Sequence, residues 1–212
     1  MNRLSANGAE FIRLHEGFRS KWYLDPVGVP TIGIGFTWRS KSFRDWWGRF
    51  KSQPFRRGAT MTQHEADDAL QFLVAREYGK AVNDFLGKRV PQHVYDAMVS
   101  AVFNLGPGAL RWKWAAAAKR GDYSESARLL RRTGVTVKGK RLPGLVRRRK
   151  EEAHLLEKGV YTGVHQRPSA PAKPLPGAST PKRPKPAPAP SHKGFWAAIA
   201  AFLRNMFGRK EK

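Results

Sequence analysis

Leu14 to Gly35 reads LHEGFRSKWYLDPVGVPTIGIG, and here a helical pattern gives way to strands. Upstream, Leu4 to Phe18 carries Ala9, Phe11, Ile12 and Leu14 behind a Ser5 or Asn7 cap, which predicts an opening helix that stops at Gly17. Downstream, the turn signals Asp25-Pro26 and Gly28 interrupt the β-formers Trp22, Tyr23, Thr31, Ile32, Ile34 and Phe36, which predicts a small hairpin or a three-stranded sheet. Glu16 thus closes a helix, Asp25 sits in the turn that opens the sheet, and Thr31 starts the next strand. A helix end facing a short sheet can supply one carboxyl from each wall of a cleft. Cleaving a glycosidic bond needs such a pair: a protonated carboxyl to donate to the leaving oxygen and an ionised one to activate water. A nearby hydroxyl such as that of Thr31 could hold the water. Spacing by itself is a weak signal, and context must strengthen it.

Beyond an aromatic and basic stretch, the pattern turns helical. Helices are predicted at Thr62 to Leu86, Gln92 to Asn104, Leu110 to Arg120, Ser124 to Arg131 and Leu145 to Glu157. Thr62-Gln63-His64-Glu65 is a capping box that supports the first. The expected class is α+β, mainly α.

The whole chain has 212 residues, with 40 Lys plus Arg against 16 Asp plus Glu, a formal charge of +24 and no cysteine. Without cysteine there is no disulfide scaffold, thiolate metal site or thiol nucleophile. A hydrophobic content of 41% is enough for one sizeable core. The charge points to a polyanionic partner: nucleic acid, an anionic membrane, lipopolysaccharide or the bacterial wall. Met1 to Glu16 is charged throughout and lacks an export-type apolar run, and no stretch reaches the roughly 20 apolar residues of a membrane span. The expectation is a protein held in the cytoplasm until something releases it.

The quoted stretch resembles the signature of phage T4-type lysozymes, the glycoside hydrolase family 24 endolysins. That signature is an E-G pair, then Y-x-D, then G-x-x-T-I-G-x-G, matched here by Glu16-Gly17, Tyr23 with Asp25, and Gly28 with Thr31, Ile32, Gly33 and Gly35. Further matches follow in order: Gln92, Asp96-Ala97, Ser100, Phe103 to Leu110, and Gly144-Leu145 with Arg148-Arg149, Glu152 and Leu155. Several separated motifs in one order outweigh any one alone. The resemblance spans roughly residues 4 to 159 and implies a lysozyme-like, two-lobed fold, with a small N-terminal sheet lobe, a larger helical lobe and a cleft between them. It assigns Glu16 as general acid, Asp25 as general base and Thr31 as orienter of the water, in a muramidase that inverts the anomeric carbon. Phe103, Asn104, Gly35 and Thr37 are the expected sugar contacts, and no metal or organic cofactor is expected. Glu16 should then be buried, against neighbours such as Phe18 or Phe103, so that it stays protonated near neutrality. A host-cell cytoplasmic protein, released to the wall by a holin-type pore, follows from the same resemblance, with a monomer as the default.

Two departures stand out. Phe36 replaces a usual histidine, which should exchange a polar contact for packing. Trp38 to Gly58 is longer and richer in Trp, Phe and Arg than the usual connection; it either packs a lobe or offers stacking and cationic contacts to sugar or an anionic surface. Other motifs lead to weaker readings. Gly33-x-Gly35 lacks the third glycine and following helix of a phosphate loop, and the six histidines lack metal-ligand spacing. The Arg run in GLVRRRKEEAHL, residues 144–155, fits a structural helix in which Arg148 and Glu152 pair at i, i+4 better than a specific nucleic-acid reader.

Nine of the fifteen prolines lie between Gln166 and Ser191, so 164–193 reads as a basic, extended linker, or alternatively as a proline-rich ligand. Beyond it, residues 194–208 read GFWAAIAAFLRNMFG. At helical period Phe195, Trp196, Ile199, Phe202, Leu203, Met206 and Phe207 fall within an arc of roughly 140°. Such a helix, over 194–212, could lie on a membrane or lipopolysaccharide surface, or dock on the catalytic domain or a second copy. Two other functions compete with the leading one: a lytic transglycosylase, which needs one catalytic Glu but no partner like Asp25 with Thr31, and a membrane-active antimicrobial protein working through the tail.

Overall fold

The computed structural model describes residues 1–164, apart from 26, 27 and 138. The linker and the tail residues Phe195 to Phe207 lie outside the described residues. Helix α1 (Ala6–Glu16) is capped by Ser5, whose side chain accepts from the Gly8 N–H at 2.9 Å. It ends at Gly17, which takes a positive φ of 73° while its N–H bonds the Arg13 carbonyl. The left-handed turn that glycine permits stops the helix directly after Glu16. An antiparallel sheet follows, with β1 (Arg19–Leu24), β2 (Pro30–Gly33) and β3 (Phe36–Thr37) in that order. Its register pairs Tyr23 with Thr31 and Thr31 with Thr37, so these three residues form one row across the sheet. Gly33 is required where it is: φ is 69°, and an added Cβ would meet Met61 Sδ at 2.7 Å.

The aromatic and basic stretch folds into α2 (Lys41–Phe50), whose Ser40 cap accepts from the Phe43 N–H. Phe43, Trp46 and Trp47 are buried, Trp38 stacks on Phe55 with centroids 4.4 Å apart, and Phe36 stacks on Phe43 at 5.2 Å. Of the two expectations for 38–58, the packing role is therefore present, and at Phe36 an aromatic stack occupies the departure from the usual histidine. Phe43, Trp46, Trp47 and Phe50 stand at i, i+3, i+4 and i+7, a helical period that identifies this element.

The helix expected over 62–86 forms with an interruption. After α3 (Gln63–Leu73), entered through the Thr62–Glu65 capping box, the chain makes a π-helical turn at Val74–Tyr78 before α4 (Gly79–Leu86). Glu77 within that turn accepts from the Ser42 N–H at 3.3 Å and joins the insert to the helical lobe. Helix α5 (Gln92–Leu105) is apolar on nearly every side and is buried accordingly, packed against α1, α4 and α8. A 3₁₀ turn at Pro107–Arg111 takes the place of the expected start at Leu110, and α6 (Lys113–Arg120) and α7 (Tyr123–Leu130) follow. A short hairpin of β4 (Thr136–Val137) and β5 (Lys140–Arg141), absent from the sequence reading, leads into α8 (Pro143–Lys158). The outcome is the expected α+β, mainly helical, lysozyme-like architecture. Among the described residues no helix is long and apolar enough to cross a membrane.

Candidate active site

Helix α1 delivers Glu16 as its last residue, leaving the carboxyl 4% exposed. Facing it, Arg148 of α8 donates from Nη1 to Glu16 Oε1 at 2.5 Å. Arg148 is itself fully buried and also donates from Nε to Glu152 Oε1 at 2.9 Å, while its Nη2 lies 3.4 Å from the Ser100 carbonyl. Glu152 accepts further from Ser100 Oγ at 2.8 Å and from Arg149, and Arg149 in turn donates to Asn104 Oδ1. The network joins two carboxyl groups, two guanidiniums, a hydroxyl and an amide. Burial raises the Glu16 carboxyl above the ordinary glutamate range; the Arg148 charge opposes this without cancelling it, and Glu152 adds to it. The expected Arg148–Glu152 pair therefore exists, but it belongs to the surroundings of Glu16 as well as to the helix.

Asp25 and Thr31 hang from the backbone of one residue, Val29. The Val29 N–H donates to Asp25 Oδ1 at 2.8 Å, and the Val29 carbonyl accepts both from the Asp25 N–H at 2.9 Å and from Thr31 Oγ1 at 2.9 Å. Val29 is buried, so both functional groups are fixed to a rigid point. Having donated its hydrogen to Val29, the Thr31 oxygen keeps lone pairs that can accept one from water. Sequence reasoning missed the part played by Val29. Its only trace is a β-branched residue closing a tight turn.

Tyr23, opposite Thr31, connects the two halves. Burial pushes its phenol up to about 12 against the Arg19 charge, and both Asp25 and Glu16 contribute in the same upward direction. Its ring lies 4.5 Å beneath the Arg19 guanidinium. A neutral phenol thus lies within electrostatic reach of both Asp25 and Glu16. On the helical side Tyr78, also raised by burial and by the charges of Glu77 and Glu16, has its ring centroid 4.9 Å from that of Phe103. Tyr78, which sequence reasoning did not single out, therefore packs with Phe103 and lies within electrostatic reach of Glu16.

The expected sugar contacts occupy different settings. Thr37 extends the Tyr23–Thr31 row, and Gly35, with φ of 91°, turns the chain between β2 and β3. Phe103 is partly buried on Tyr78. Asn104 is 4% exposed and its amide oxygen is committed to Arg149, so it belongs to the buried network. Among the described residues no group of three or more His, Asp or Glu could hold a metal.

The family model described as Phage lysozyme matches residues 13–152, a span that contains all of these groups. An endolysin of Acyrthosiphon pisum secondary endosymbiont phage 1 is 31% identical over 158 residues, covering 73% of this chain and 97% of the relative. Among solved structures, an endolysin from Escherichia coli O157:H7 phage FAHEc1 matches with a TM-score of 0.61 at 29% identity, covering 76% of this chain and 96% of that one. The muramidase domain of SpmX from Asticaccaulis excentricus matches with a TM-score of 0.60 at 28% identity over 74% and 98% of the two chains.

Proposed function

The chain belongs to the phage lysozyme family, and from that premise we propose that it hydrolyses the β-1,4 bond between N-acetylmuramic acid and N-acetylglucosamine in peptidoglycan, with inversion. The observation that carries the assignment is the contrast between two carboxyls. Glu16 is buried with its proton affinity raised, whereas Asp25 is tied to the Val29 N–H in a turn next to the Thr31 hydroxyl. Groups whose surroundings separate an acid from a base are the pattern that glycosidic hydrolysis requires.

In this mechanism Glu16 gives its proton to the glycosidic oxygen as the C1–O bond breaks. A water held by Thr31 and Asp25 attacks C1 from the opposite face, and Asp25 takes the water's proton. Solvent then returns a proton to Glu16 and removes one from Asp25, which restores both. Thr37 and Phe103 are the proposed sugar contacts nearest this chemistry.

Mass spectrometry of soluble products from purified peptidoglycan tests the reading. Wild type should release fragments with reducing N-acetylmuramic acid ends, and Glu16→Gln should release none. Anhydro ends would instead establish a lytic transglycosylase, a reading that the Asp25–Thr31 arrangement disfavours.

The same proposal divides the chain into a catalytic domain over 1–163, a linker over 164–193 and a cationic amphipathic helix over 194–212. That helix, through Phe195, Trp196, Ile199, Phe202, Leu203, Met206 and Phe207, is proposed to contact anionic membrane or lipopolysaccharide. The protein would be a monomer kept in the host cytoplasm until a holin-type pore opens. Deleting 194–212 should leave hydrolysis of purified peptidoglycan unchanged and slow lysis of intact Gram-negative cells; equal lysis of intact cells would remove the tail's role.

A further inference from the structure

We propose that Glu152 is a positioning residue for the reaction: by sharing the Arg148 guanidinium with Glu16, it keeps Glu16 in the protonated form that can donate to the leaving oxygen. The inference rests on the reading of Glu16 as general acid. A buried arginine bonded at 2.5 Å to that carboxyl presents a difficulty. Alone, the pair would favour the carboxylate, because an opposite charge at this range stabilises the ionised form. A carboxylate has no proton to give.

Burial works against that attraction, and Glu152 adds its charge to the effect of burial by its place in the network. It is fully buried on α8, one turn beyond Arg148, and it holds the Arg148 Nε at 2.9 Å. Two further donors, Ser100 Oγ at 2.8 Å and Arg149, hold its oxygens in place. The Arg148 charge is thus compensated in part at Glu16, where burial supplies the larger upward push. These residues come from three segments: Glu16 from α1, Ser100 from α5, and Arg148, Arg149 and Glu152 from α8.

The other charged and titratable groups facing Glu16 do not substitute for Glu152. On α1, His15 is held well below its usual range by burial and by the charges of Arg148, Arg149 and Arg147, so it is neutral. Burial pulls Arg149 down to about 10, which leaves it a cation at neutral pH and so unable to raise the acid. From the sheet come Tyr23 and, beyond it, Asp25; from the π-helical turn come Tyr78 and Glu77. Both phenols are raised and neutral. Within the buried network, Glu152 is the negative charge that raises Glu16.

Glu152→Gln tests this, since it keeps the shape and the acceptor oxygen but removes the charge. The alkaline limb of the pH–activity profile on purified peptidoglycan reports loss of the protonated acid. In the variant that limb should move to lower pH while the acidic limb stays, and each unit of movement reads as about a tenfold loss of activity at fixed pH on that limb. Carbon-13 NMR of glutamate carboxyls, with Glu16 assigned from Glu16→Gln, should show Glu16 ionising at lower pH. A merely structural role would lower activity equally at every pH and leave the limb and the titration in place; that result overturns the proposal. Should Glu152→Gln fail to fold, Glu152→Asp retains the charge but withdraws it by one methylene, and a smaller movement in the same direction is expected. An unmoved limb there also refutes it. The underlying reading fails separately: Glu16→Gln would then remain active, whatever Glu152 does.

Discussion

Replacing Glu16 with glutamine removes a proton donor and a buried ionisable group at once, so activity and stability should move in opposite directions. A positioned general acid contributes about 10²–10⁴-fold to rate, or about 3–5 kcal/mol of barrier at about 1.36 kcal/mol per decade. Stability follows from the 4% exposure of Glu16, because burial raises its carboxyl in the folded protein despite Arg148. Below the unfolded-chain value both states hold the proton and the group carries no penalty. As pH rises between the unfolded and folded values, the unfolded chain releases its proton while the fold retains it, and wild-type stability falls. Above the folded value the full penalty is present, about 1.4 kcal/mol for each unit of elevation. Glutamine carries no such penalty, its amide oxygen can still accept from Arg148, and Glu152 still balances that cation. The variant should therefore melt close to wild type near pH 4 and above it at pH 8, at roughly 2–4 °C per kcal/mol for a domain of this size. Calorimetry across that range, beside turbidity loss of purified peptidoglycan, reads both effects. A variant that melts below wild type at pH 8, or a gap independent of pH, would show that the Arg148 attraction outweighs desolvation and would refute the argument.

Other substitutions separate the site from its support. Thr31→Val keeps a β-branched residue in β2 but removes the hydroxyl bonded to Val29, so turnover should fall by about 10²-fold while stability changes by about 1 kcal/mol; full turnover would remove Thr31 from the mechanism. Asp96 accepts from the Ser5 N–H, Ser5 Oγ, Gln92 Nε2 and Tyr161 Oη between 2.5 and 3.1 Å, anchoring the start of α1 to α5. Asp96→Ala should cost about 3 kcal/mol or more in urea unfolding, and a loss under about 1 kcal/mol would contradict that anchoring role. Trp47 is 2% exposed and donates to the Gln53 carbonyl at 2.8 Å. Trp47→Ala should cost about 3–5 kcal/mol, and a near-neutral result would mean the insert contributes little to the core.

Much of the architecture was legible in the sequence because local chemistry governs it. Ser5 and Gly17 bound α1, Thr62 and Glu65 box the start of α3, and turn residues between β-formers mark the sheet. Each depends on backbone groups a few residues away, as does the separation of Glu16, Asp25 and Thr31 along the chain. Helix α2 was within reach through its i, i+3, i+4, i+7 aromatics, although Trp and Arg suit a binding surface as well as a core. The shift from α-helical to π-helical winding at Val74 had no local signature, and the Val29 anchor left only a β-branched residue closing a tight turn.

Only the tertiary structure decided what Glu16 is chemically. Its partner Arg148 lies 132 positions away, and the Arg-rich run that holds it reads in sequence as a structural helix with an internal Arg148–Glu152 pair, with no sign that it reaches Glu16. Desolvation belongs to all the atoms that exclude water, and the sharing of one arginine between Glu16 and Glu152 depends on distances set by how α1, α5 and α8 pack. A sequence can name the two carboxyls and their order. Which of them keeps its proton is settled by the interior that folding builds around them.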